Sequence, residues 1–299
     1  MRTLRFKKID AFASEKSSGN PAAVIYLDSL KELSSSEMLK IAKELKGYVS
    51  EVGYVCPGTE ADFQLRYYSS EREVDFCGHA TIAILNDIVS NSKLLQTKPT
   101  LTIETKNDLL AVENRYIEEK CVYISAPFPR FSTKTINKED IAVALNCPLN
   151  MLHSSQPTQI VNAGLETLIV PMTNLEAVLF TTPNQEALKE FCVQIGVDII
   201  TIFTDKTSTM ESRFRTRVFA PTFGYLEDPA TGSGNAALGY YLLENDIWQG
   251  DSIRIEQNGY IDTPNFVQIL SKRNNENNNS QVWFGGGAVL KIDGKYCIN

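Results

Sequence analysis

Two short segments place a glycine at the head of a small-residue, apolar stretch: Cys77-Gly78-His79-Ala80-Thr81, and Asp228-Pro229-Ala230-Thr231-Gly232-Ser233-Gly234. Both patterns predict a helix N-terminus. Such an end presents unpaired backbone N–H groups and the positive end of the helix dipole, a ready anion site, so the expected chemistry is a grip on a carboxylate. The first segment adds His79, which titrates near neutrality. Upstream, Ser50-Glu51-Val52-Gly53-Tyr54-Val55 sets a carboxylate just ahead of an apolar strand, where burial favours the neutral acid and tunes it for proton transfer.

Each feature also has a plainer reading. Asp228 to Gly234 suits an ordinary turn and N-cap, with proline after an acid and glycine at the bend. Gly232-x-Gly234-x-x-Ala237, with Glu256 24 residues beyond Gly232, also fits a dinucleotide-binding fingerprint. That fingerprint should follow an apolar strand directly, whereas Leu226-Glu227-Asp228-Pro229 intervenes, and regular βαβ alternation is missing. The anion-gripping helix start is the preferred reading. Cys77 invites a nucleophile, since a helix N-terminus acidifies a thiol. A two-thiol racemase needs a cysteine at the repeat-equivalent position, which is Thr231, so Cys77 reads as packing. Gly19-Asn20-Pro21-Ala22-Ala23-Val24 and Asp10-Ala11-Phe12 read first as a loop and turn feeding a strand.

The elements that carry these residues repeat. Phe63-Gln-Leu-Arg-Tyr-Tyr-Ser leading to Cys77-Gly-His-Ala-Thr resembles Phe214-Arg-Thr-Arg-Val-Phe-Ala leading to Thr231-Gly-Ser-Gly-Asn. In each half a strand with Arg66 or Arg217 precedes a glycine turn, a small-residue helix and a further strand. Strands are expected at 4–12, 22–27, 53–55, 63–68, 101–105, 122–125, 167–170, 213–219, 252–255 and 282–284. Helical periodicity covers 36–46, 79–89, 138–146, 185–195 and 234–243. The polar stretch 274–280 reads as a hairpin loop.

Composition narrows the function classes. With 299 residues, 43% hydrophobic and 22% charged, the chain is ordinary globular material of two-domain length. A net charge of −7 without a Lys/Arg run argues against nucleic acid and for a small-molecule partner. Apolar runs fall short of the ~20 residues a membrane span needs, and no apolar signal core opens the chain, so no membrane role and a cytoplasmic setting are expected. Six scattered cysteines and only two histidines suggest reduced thiols rather than disulfides or a metal cluster.

Taken in order, Asp10-Ala11-Phe12, Gly19 to Val24, Ser50-Glu51, Val74 to Thr81 and Asp228 to Gly234 resemble the phenazine-biosynthesis F-like (PhzF-like) isomerase family over nearly the whole chain. The resemblance implies an α+β, diaminopimelate-epimerase-like fold. It has two pseudo-symmetric halves, each a rolled sheet around a central helix, an active site in the cleft, and often a homodimer. The halves would be 1–126 joined by 285–299, and 127–284. The family's acid/base falls on Glu51 and its substrate-positioning His and Asp on His79 and Asp228. Asn20, Ser50, Gly78, Gly232 and Ser233 would contact a small carboxylate substrate.

The implied activity is isomerisation without metal or other cofactor, Glu51 moving a proton on the substrate's carbon skeleton. Two alternatives stay open: an amino-acid racemase or epimerase using Glu51 and Asp228, and a non-catalytic metabolite-binding protein. Residues flanking Glu51 differ from the family's usual ones, and phenazine synthesis itself is not inferred.

Overall fold

The computed structural model describes residues 2–273 and 279–298. The chain divides into two compact units, Met1–Ser125 with Gly285–Asn299, and Ala126–Phe284. Chain order gives β1 (Arg2–Ala11), β2 (Asn20–Tyr26), β3 (Glu51–Pro57), β4 (Phe63–Tyr68), β5 (Glu73–Val74), β6 (Thr100–Glu104), β7 (Leu109–Arg115) and β8 (Cys121–Ser125). The second unit has β9 (Arg130–Phe131), β10 (Gln159–Asn162), β11 (Glu166–Pro171), β12 (Ile199–Thr204), β13 (Phe214–Phe219), β14 (Glu227–Asp228), β15 (Ile253–Gln257) and β16 (Asn265–Arg273), followed by β17 (Ser280–Gly286). The last strand, β18 (Ala288–Ile298), returns to the first unit and pairs antiparallel with β1.

The sequence repeat is a repeat of strand pairings. In the first unit β1–β2 is antiparallel, β2–β3 parallel, β3–β4 antiparallel and β4–β6 parallel. In the second, β10–β11, β11–β12, β12–β13 and β13–β15 run in the same four senses. Each half also pairs its Arg-bearing strand with a two-residue strand, β4 with β5 and β13 with β14. An ion pair ties each of these pairings. Arg66 Nε is 3.7 Å from Glu73, and Arg217 Nη2 is 2.8 Å from Glu227.

Each unit holds one long central helix, Gly78–Ser90 in the first and Gly232–Glu244 in the second, both 13 residues. Neither has an exposed apolar-free face of the usual amphipathic kind. Residues 80–87 are all buried in the first, and 234–242 in the second. A helix apolar on all sides must be enclosed, and its small residues let strands approach closely. At Gly232 the approach is extreme, because a Cβ there would fall 2.3 Å from the Phe284 ring.

Separate apolar cores support the two units. One gathers Leu4, Ile25, Ile41, Val52, Tyr54 and Ile298, the other Ile141, Leu168, Val170, Leu188, Ile200 and Phe219. The helix expected at 185–195 forms over Gln185–Ile195, and those at 36–46 and 138–146 form over Ser35–Glu44 and Lys138–Ala144. Five long or central strands, β7, β10, β12, β16 and β18, went unanticipated. Four of them carry interspersed polar or charged residues, which blurs the apolar run. Asp10 and Ala11 close β1 rather than forming a loop, with Phe12 at φ +60° making the turn. Of the expected hairpin loop, 274–278 lies outside the described residues.

Candidate active site

In the first unit three chemistry-bearing side chains converge. The parallel register of β2 and β3 sets Ala22 beside Glu51, so Glu51 is the first residue of its strand. Gly19 makes that approach by adopting φ +60°, and a Cβ there would sit 2.5 Å from the Ala11 carbonyl oxygen. Asn20 is thereby buried at the head of β2. Its Oδ1 accepts from the Ser50 hydroxyl at 3.3 Å, and the Ser50 N–H donates to Pro21 O at 3.1 Å. Glu51 then meets the start of the central helix, where His79 Nε2 lies 3.2 Å from Glu51 Oε2. Cys77, the N-cap, puts Sγ 3.4 Å from His79 Nδ1.

The electrostatics follow from this crowding. Glu51 Oε2 is shut off from solvent yet accepts no aligned hydrogen bond among the described residues, so His79 faces it as a charge and not as a filled donor site. Burial alone would lower the His79 pKa, but the Cys77 sulfur and the Glu51 carboxylate hold it well above the usual imidazole range. Burial pushes the Cys77 thiol up, against the pull of the neighbouring His79 imidazole. An imidazolium beside a carboxylate with an unfilled lone pair can pass or hold a proton.

The N-cap gives the helix start no side-chain cap of its own. Its carbonyl is held instead, Thr81 Oγ1 donating to Cys77 O at 2.7 Å, with the buried Tyr67 hydroxyl 2.6 Å from the same Oγ1. The first-turn N–H groups around Gly78 are thus fixed in direction without being consumed by a cap.

The second unit builds the matching start from different residues. Asn235, four residues past the N-cap Thr231 as Thr81 is past Cys77, donates through Nδ2 to Thr231 O at 2.8 Å. Gln257, fully buried on β15, accepts from the Thr231 N–H at 3.0 Å and from Asn235 Nδ2 at 2.6 Å. Its Nε2 donates to Asp228 O at 2.8 Å. The Thr231 hydroxyl donates to Asp228 Oδ2 at 2.6 Å, which orients that carboxylate at the head of the helix. Gly232 and Ser233 open the helix itself.

Two sequence-level alternatives lose their basis here. Glu256 is fully buried and accepts from the backbone and hydroxyl groups of Ser208 and Thr209 and from Arg215 Nη1, so it has no capacity left for a ribose. Thr231 stands in the Cys77-equivalent place with its hydroxyl engaged.

Comparison with known proteins extends these observations. A profile of the family described as "Phenazine biosynthesis-like protein" matches residues 9–294. The chain belongs to that family. Among relatives, the "Uncharacterized isomerase YfhB" of Bacillus subtilis is 30% identical over 90% of this chain and 91% of its own. "Antisense-enhancing sequence 1" of Schizosaccharomyces pombe is 29% identical over 98% of each. A Bacillus anthracis phenazine biosynthesis protein of the PhzF family superposes over the full length of both chains with TM-score 0.87 and 27% identity. A hydroxyproline epimerase from Agrobacterium vitis shares the fold at TM-score 0.62 and 12% identity, covering 99% of this chain and 91% of its own.

The family places the chain among isomerases with a small-molecule substrate, on the epimerase-like α+β fold. Among the described residues no helix is long and apolar enough to cross a membrane. Of the residues singled out from sequence, Asn20, Ser50, Glu51, Gly78 and His79 come together in the first unit. Asp228, Gly232 and Ser233 come together in the second. Gln257, Asn235, Thr81 and Tyr67 were missed. The shared four-residue step from N-cap to Thr81 and to Asn235 was the available signal.

Proposed function

We propose that this family member is a cofactor-independent isomerase in which Glu51 carries a proton from one carbon of a small carboxylate-bearing substrate to another. The observation that supports the reading most is the Glu51 carboxylate itself. It is sheltered, faced by a charged imidazole, and left with an acceptor atom that no aligned donor among the described residues fills, which is how a group waiting for a substrate proton is held.

In this reading the His79 imidazole faces Glu51 and orients it toward the substrate. The first-turn N–H groups at Gly78 stabilise negative charge developing on the substrate, with Asn20 and Ser50 as further contacts. Asp228 is the acid of the second helix start, and Gly232 and Ser233 supply its N–H donors. Asp228 is bonded by Thr231 whereas Glu51 Oε2 accepts no aligned hydrogen bond among the described residues, an asymmetry that favours a proton shift over racemisation. The cytoplasmic setting and the homodimer belong to the same proposal.

The test is incubation of the purified protein in deuterated water with pooled amino acids, hydroxy acids, aromatic carboxylates and dihydroaromatic acids, read by mass spectrometry. The proposal expects deuterium in one compound together with a shifted double bond. Scrambling of one stereocentre with no bond shift would instead mark a racemase. Binding of a carboxylate without exchange at any carbon would mark a binding protein.

A further inference from the structure

Glu51, Cys77 and His79 offer a carboxylate oxygen, a thiol sulfur and an imidazole nitrogen within 4.8 Å of one another. We propose that these three side chains form a zinc site, and that zinc occupancy blocks the isomerase. The donor set is the argument. Carboxylate, imidazole and thiolate together suit Zn²⁺, whereas Mg²⁺ and Ca²⁺ call for oxygen throughout.

The distances agree with that chemistry. Zinc bonds of ~2.3 Å to sulfur and ~2.0–2.2 Å to nitrogen and oxygen, set tetrahedrally, put donor atoms about 3.3–3.6 Å apart. Here His79 Nε2 is 3.2 Å from Glu51 Oε2 and 3.9 Å from Cys77 Sγ. The remaining edge, from the Glu51 carboxylate to Cys77 Sγ, lies within 4.8 Å, so closing the set asks for side-chain movement of up to about 1 Å. Glu51 Oε2 is buried without an aligned donor, which is the condition of a ligand atom lacking its cation. Three protein ligands leave a fourth tetrahedral position for water.

Charge also favours the ion. The helix N-terminus opposes a cation with about half a unit of positive charge, but the carboxylate and the thiolate bring two negative charges against it. Binding takes one proton from the Cys77 thiol and one from the His79 imidazolium, releases both to solvent and forms the Zn–S, Zn–N and Zn–O bonds, so a buried neutral assembly results. Access is available, since the His79 and Glu51 side chains keep 11% and 22% of their surface exposed. Binding stands on this geometry alone. Its consequence, capture of the proton-carrying carboxylate by the metal, rests on the function proposed above.

Cobalt(II) is the probe, because a cobalt–thiolate bond gives a near-ultraviolet charge-transfer band that oxygen and nitrogen ligands do not. Titrating the metal-free full-length protein should give that band at one Co²⁺ per chain, with zinc displacing cobalt, because Zn²⁺ loses nothing by taking tetrahedral geometry. Cys77→Ser should abolish the band and His79→Gln should weaken binding at least about 100-fold, more than loss of an outer-shell partner does. Cys297→Ser, at an exposed thiol elsewhere, should leave the band intact. The proposal is overturned by a titration with no thiolate band, by a band that survives Cys77→Ser in a folded variant, or by one that disappears in Cys297→Ser. Because no substrate is needed, these outcomes are independent of whether the isomerase reading holds.

Discussion

His79 Nε2 stands 3.2 Å from Glu51 Oε2, joining the first residue of β3 to the first turn of the helix Gly78–Ser90. The pair explains why a glutamate at the head of a strand is no ordinary surface group here. The helix start brings an imidazole to it, and the carboxylate in turn raises the affinity of that imidazole for a proton.

The contact makes stability depend on pH in a stated direction. A histidine whose folded-state pKa is raised adds stability that is fully present below the unfolded value, about 6.5, and is lost as pH rises through the folded value. Urea midpoints of the parent should therefore fall as pH climbs above about 6.5, and His79→Gln should flatten that decline. Parallel curves for the two proteins would contradict the charged-imidazole assignment.

Gln257 should be needed for the second helix start. Its side chain accepts from Thr231 N–H and Asn235 and donates to Asp228 O, and leucine would strand those buried partners. Each orphaned group costs about 1–3 kcal/mol, so Gln257→Leu should lower unfolding free energy by at least ~2 kcal/mol in urea titrations. A loss below about 0.5 kcal/mol would show that the network is relaxed by other partners.

Glu256 is expected to matter for folding and not for ligand binding. It is fully buried against Arg215, and breaking a buried ion pair by removing one charge costs about 3–5 kcal/mol. Glu256→Gln should destabilise on that scale. The hydrogen bonds from Ser208, Thr209 and Arg215 outweigh the cost of burial and hold this carboxyl below its ordinary range. Its contribution is therefore present above the unfolded carboxylate pKa and fades as pH falls through the folded one. A variant as stable as the parent from pH 4 to 8 would contradict this role.

Much of this architecture is legible in the residues because the repeat is written twice. Arg66 and Arg217 mark equivalent strands, Gly78 and Gly232 equivalent helix starts, and the pairings around them repeat in sense. Strands such as β16 and β18 stayed hidden because their exposed faces break the apolar run: β18 alternates polar and apolar residues and is exposed at Leu290 and Ile292. The approach of His79 to Glu51 was readable only through the family resemblance, since no local spacing joins a strand head to a helix start. The Gln257 and Asn235 network was hidden for the opposite reason. Its first-unit counterparts are Tyr67 and Thr81, different side chains filling the same role.

The central claim is that Glu51 carries the proton. Its most direct test compares the parent with Glu51→Gln, which keeps the shape of the side chain and removes the base, by the rate of deuterium uptake from heavy water into the substrate found by pooled screening. The account predicts a fall of about 10²- to 10⁴-fold, the usual contribution of a positioned general base, in a variant that still folds. Exchange at the parent rate in Glu51→Gln would contradict it.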